Sequence, residues 1–183
     1  MNDFLEQILK ALDCNLYYLA LQSTLSLPDI CSALISPNGM TSGSKYINWY
    51  NTYAKEPGSL SINGEDCYKF RCSAIHQGST QHTRSSYSRI LFIEPSKTNG
   101  CIFHNNVLND ALNIDLRVFC ENMIQSVVKW LDLVKDDPIF LSNYEKFMKR
   151  YPNGFPPYIV GTAIIMVLCQ YFGHKKSNFF MLH

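Results

Sequence analysis

The segment Phe70-Arg71-Cys72-Ser73-Ala74-Ile75-His76-Gln77-Gly78 carries a guanidinium and an imidazole with four residues between them. That pair of side chains suits RNA cleavage. Transesterification needs a group that moves protons near neutral pH at the 2′-hydroxyl and the leaving 5′-oxygen. It also needs a fixed cation for the charge that develops on the phosphoryl oxygens. Imidazole and guanidinium have these abilities. On a regular α-helix, five steps turn Arg71 and His76 roughly 140° apart around the axis. One helix then does not aim both at one phosphate, and the spacing predicts a cleft shared by two copies across a dimer axis. His76 falls in the last turn before Gly78, where the helix-end partial charge favours imidazolium and a general-acid role. Arg71 then serves as the phosphate clamp.

Neighbouring residues add local charge. Between Cys67 and Ile93 lie Lys69, Arg71, His76, His82, Arg84 and Arg89, with no carboxylate. This basic island can hold backbone phosphate through Lys69, Arg84 and Arg89, and Tyr87 can stack on a base; neither contact reads a sequence. Asp66 is placed to orient Arg71 or, three residues after Asn63, to complete a capping box. Cys67, Cys72, His76 and His82 are zinc-ligand types, but Cys67 lies about 180° from His76 around a helix, so no metal site is expected.

The elements that must position these groups are mainly helical. Leu5, Ile8, Leu12, Leu16 and Leu19 recur at helical spacing, predicting one amphipathic helix over residues 4–25. Pro28 is expected to break or bend it and to open a short helix through Leu34. Residues 44–54 place Tyr46, Trp49, Tyr50 and Tyr53 at helical spacing, an aromatic face suited to core packing or to stacking on RNA. Asn63 starts a helix through His76, supported by a Glu65–Lys69 pair and stopped by Gly78. The period then changes, and residues 88–93 and 101–107 flank Pro95–Gly100, predicting a β-hairpin inserted at about 87–108. Asp115 caps a long helix to Lys135, and Asp136-Asp137-Pro138 begins another to about Arg150. The uncharged run 158–172 is 15 residues long, short of the roughly 20 needed to span a bilayer. A buried helix or strand is expected there, and no membrane partner.

The Arg-x4-His spacing at a helix end resembles the HEPN superfamily. The wider context, from Leu27-Pro28-Asp29-Ile30-Cys31 through Asp66-Cys67-Tyr68 to Arg71-Cys72-Ser73, His76-Gln77-Gly78 and the 87–95 strand, resembles a bacterial, often plasmid-borne branch of it. The resemblance covers most of residues 5–157. It implies an α-helical bundle that dimerises and a metal-independent endoribonuclease of toxin, phage-defence or stress systems, with Arg71 and His76 catalytic. It also admits non-catalytic dimeric modules that bind RNA or a partner protein such as an antitoxin. Active members often place a polar residue directly after the arginine; here that residue is Cys72.

Composition bounds these expectations. The chain has 183 residues, 46% apolar and 13% aromatic, enough for one folded domain over 1–183. A formal charge of +1 leaves no global attraction for polyanions. Seven cysteines without a C-x-x-C pair, and a first segment without an apolar signal region, predict free thiols in a reducing cytoplasm. Neither a G-x-G-x-x-G nor a Walker-type sequence is present, so no cofactor is expected.

Overall fold

The computed structural model describes residues 1–77, 89–95 and 100–166 of the chain. The fold is mainly α-helical, and the described chain divides into two compact units, Met1–Tyr144 and the segment starting at Glu145. Among the described residues no helix is long and apolar enough to cross a membrane.

In the first unit, α1 (Asn2–Asp13) buries Leu5, Ile8 and Leu12, one stripe of the expected amphipathic pattern. The predicted single helix over 4–25 is instead two. Asn15 takes a left-handed φ of 58°, and the N–H groups of Asn15 and Leu16 bond the carbonyls of Leu12 (3.1 Å) and Ala11 (2.8 Å). This is a Schellman stop, made possible by asparagine's tolerance of that conformation. Helix α2 (Tyr17–Leu34) then runs through Pro28 without ending. Proline removes the N–H that would bond the Thr24 carbonyl one turn back, and the Tyr46 hydroxyl reaches the same turn, donating to the Leu25 carbonyl at 3.1 Å.

Helix α3 (Gly43–Trp49) starts at Ser42, whose Oγ accepts from Lys45 N, and continues as a π-helical turn, Tyr50–Ala54. Tyr46, Trp49 and Tyr50 are buried, so the aromatic face is core; only Tyr53 is exposed. Helix α4 (Gly64–Cys72) is capped as its sequence predicts: Asp66 N donates to Asn63 Oδ1 at 2.9 Å, and Asn63 Nδ2 donates to Asp66 Oδ2 at 3.0 Å. Gly64 lets α4 approach α3. A Cβ there would fall 2.7 Å from the Ile47 carbonyl oxygen, and the Gly64 N–H donates to Asn51 Oδ1 at 2.8 Å. The expected Glu65–Lys69 pair is replaced by Lys69 against Asp66 at 3.9 Å.

The expected hairpin between residues 88–93 and 101–107 does not form. Strand β1 (Arg89–Ile93) pairs in parallel with β3 (Ala111–Asp115), and β2 (Asn106–Leu108) pairs antiparallel with β3, in the order β1-β3-β2. Two local features decide this. Asn105 is left-handed at φ 51°, which breaks extension just before β2. Asn109 and Asp110, at φ 49° and 60°, form the two-residue left-handed turn that closes a β2–β3 hairpin. Every residue of β3 is buried, as befits the central strand.

Helix α5 (Leu116–Val134) begins at Asp115, whose Oδ1 accepts from Val118 N at 3.0 Å. It lays Phe119, Met123, Val127 and Trp130 into the core, where Trp130 meets Trp49 edge-on at 5.9 Å. Helix α6 (Pro138–Tyr144) is shorter than expected, because residues 149–151 are strand. The second unit holds two short antiparallel pairs: β4 (Lys149–Tyr151) with β7 (Ile164–Met166), and β5 (Gly154–Phe155) with β6 (Ile159–Val160). The described part of the 158–172 run is strand at 159–160 and 164–166, but Tyr158, Val160 and Ile165 are exposed, so the buried element expected there does not form among the described residues.

Candidate functional site

Arg71 lies in the last turn of α4, which ends at Cys72, and the chain continues as a π-helical turn, Ser73–Gln77. This changes the angular arithmetic. A π turn bonds residue i to i+5 and so returns the fifth residue above the first. Arg71 Nη1 and His76 Nε2 lie 2.7 Å apart within one chain. The 140° separation expected of a regular helix does not occur, and no second copy is needed to bring the two groups together.

Behind them stands a third group from a distant part of the chain. Asp29 projects from α2, one residue after Pro28, and its Oδ2 lies 2.6 Å from Arg71 Nη2. Thr41 Oγ1 is 3.4 Å from Asp29 Oδ1 and 2.7 Å from Ser32 Oγ, while Ser32 Oγ donates to the Asp29 carbonyl. The three groups are graded in depth: Asp29 is buried, Arg71 half-buried and His76 exposed. Burial pushes the Asp29 carboxyl above its ordinary value, against the pull of the Arg71 charge and hydrogen bond. For Arg71 burial is the largest single influence and works to lower the value, but the charges and hydrogen bonds of Asp29 and Cys72 together outweigh it and hold the guanidinium more firmly protonated.

Hydrogen-bond inventory fixes the roles. Guanidinium nitrogens only donate, so His76 Nε2 must accept from Arg71 and carry a lone pair. With Nε2 accepting, the ring proton sits on Nδ1, and Nε2 offers the lone pair that a base needs.

The remaining expected site residues are dispersed. Asp66 is buried and engaged with Asn63 and Lys69; the carboxylate on Arg71 is Asp29. Cys72 is half-buried, with its sulfur 4.0 Å from Arg71 Nη1, and it hydrogen-bonds Tyr68, a contact that pushes the Tyr68 hydroxyl above its ordinary value. Arg89 is exposed on β1. Arg84, Tyr87 and His82 lie outside the described residues. The basic island is thus partly neutralised, Arg71 by Asp29 and Lys69 by Asp66. Cys67 is buried against the Tyr46 hydroxyl at 3.3 Å, and among the described residues no three metal-ligand side chains converge.

A signal for Asp29 was present in the sequence. It is the only charged residue between Asp13 and Lys45. A lone carboxylate in the middle of an apolar helix needs a cation brought from elsewhere in the fold.

No protein-family model, curated protein or solved structure matches this chain.

Proposed function

We propose that the Asp29–Arg71–His76 array is the active site of a HEPN-type, metal-independent endoribonuclease. The observation that carries this is the 2.7 Å contact between Arg71 and His76 at the protein surface, with Asp29 bracing the arginine from behind. A phosphodiester entering beside the pair competes for Arg71 Nη1. As the guanidinium turns its donors to the phosphoryl oxygens, the Nε2 lone pair of His76 is released and can take the proton from the 2′-hydroxyl. Oxygen attack on phosphorus then forms the 2′,3′-cyclic phosphate and expels the 5′-oxygen. The imidazolium so formed can return its proton to that leaving group. Asp29 holds one edge of the guanidinium fixed, so that its free edge stays aimed at the phosphate.

Homodimerisation and a role in toxin, phage-defence or stress systems belong to the same proposal and rest on the family resemblance. Cys72 favours a second reading, a non-catalytic dimeric module that binds RNA or a partner protein, because a thiol is a weak hydrogen-bond partner where active members carry a polar group.

Incubation of the purified protein with RNA in EDTA separates the two. Cleavage leaving 2′,3′-cyclic phosphate ends, lost in His76→Ala, supports the enzyme. RNA retained intact, equally by both proteins, supports the binding module.

A further inference from the structure

The unit that starts at Glu145 differs from the rest of the chain in charge and in surface. Residues 145–183 contain five basic residues and one acidic residue, net +4, whereas residues 1–144 contain eleven basic and fourteen acidic, net −3. From Tyr151 to Gly173 there is no charged side chain, and the basic residues bracket this stretch: Lys146, Lys149 and Arg150 before it, Lys175 and Lys176 after it.

Several of its described apolar side chains face outward. Tyr158 is 82% exposed, Val160 69% and Ile165 66%. Strands of two and three residues bury little, so burial among the described residues of the unit does not account for this composition. The register joins the two features: Arg150 on β4 lies directly opposite Ile165 on β7, so an exposed cation and an exposed aliphatic group share one face of the ribbon. Tyr158 continues an aromatic series, stacked on Phe155 at 5.8 Å, with Phe155 in turn edge-on to Tyr151 at 5.0 Å.

Exposed aliphatic residues, an amphipathic tyrosine and flanking cations are what an anionic bilayer surface selects. The apolar groups enter the headgroup boundary, and the lysines and arginines meet lipid phosphates. RNA would use the cations and Tyr158 but would leave Val160 and Ile165 in water. We propose that this unit adsorbs to anionic lipid surfaces. Adsorption is distinct from spanning, for which the uncharged stretch gives no helix among the described residues. The proposal is independent of the ribonuclease reading.

The full-length protein is sedimented with vesicles of phosphatidylcholine, with and without about one-third phosphatidylglycerol, in the presence and absence of single-stranded RNA. Partitioning to the anionic vesicles only, weakened by salt, is expected. Lys146→Glu/Arg150→Glu should weaken it by more than about tenfold, and Tyr158→Ser/Val160→Ser by about tenfold. Leu133→Ser, an exposed apolar position on α5 of the first unit, should leave it unchanged. The emission of Trp49 and Trp130 reports that the first unit of each variant keeps its fold, and resistance to limited chymotrypsin digestion reports the same for the unit that starts at Glu145. Failure to sediment with either vesicle, equal partitioning to both, or RNA displacing the vesicles through Arg150 would overturn the proposal.

Discussion

Asp29 is buried and Arg71 half-buried, and neither can be removed alone without stranding the other. Asp29→Asn leaves the guanidinium without its counter-charge and is expected to destabilise the protein by about 3 kcal/mol in chemical denaturation. The double variant Asp29→Leu/Arg71→Met should recover much of that loss while RNA cleavage stays absent, because a well-packed apolar pair tolerates burial better than a lone charge. Equal destabilisation by the double variant would show that the pair is held by packing and not by its charges. Arg71 and His76 are visible in the sequence as chemistry-bearing types, yet their mutual geometry is not, since spacing alone assumes a regular helix. The pairing of Asp29 with Arg71 is not visible for another reason: the two sit 42 residues apart, and only the fold brings α2 against α4.

The π-helical turn after Cys72 is the element on which the site depends. A π turn amounts to one residue inserted into an α-helix. Deleting Ala74 should restore regular winding and place the arginine and histidine four apart, still on one face. That variant is expected to retain cleavage, whereas deleting Ser73, Ala74 and Ile75 leaves the two residues only two apart, about 200° around the axis, and should abolish it. Loss of activity in both would mean that the π turn has a role beyond alignment. Helix content, the caps at Asn63 and Asp115 and the core stripe of α5 follow directly from residue type and period. The α1–α2 break and the sheet pairing do not, because they turn on single asparagines that take left-handed backbone: Asn15 ends a helix, Asn105 interrupts extension, and Asn109 closes a hairpin one strand later than expected.

At the scale of the molecule, long-range polar clasps tie the first unit together. His104 Nε2 lies 2.7 Å from Glu56 Oε2, and Asn105 Nδ2 donates to the same oxygen at 2.9 Å, fastening the loop after α3 to the segment before β2. Burial alone would raise the Glu56 carboxyl, but hydrogen bonds from His104, Asn122 and Asn105 outweigh it and hold its pKa below the ordinary value. A lowered carboxyl contributes stability above the usual carboxylate range and loses it as pH falls through the lowered value. Glu56→Gln should therefore cost about 1–2 kcal/mol near neutrality and progressively less on acidification, as read by thermal melts of Trp49 and Trp130 emission. A pH-independent difference would contradict the linkage.

Purified wild type, Arg71→Ala, His76→Ala and an equimolar mixture of the two variants should be compared on RNA in EDTA. Because one chain supplies both groups at 2.7 Å, wild type should cleave, each variant should be inactive, and mixing should restore nothing. Activity regained in the mixture, or unchanged in His76→Ala, would contradict a catalytic pair built within one chain.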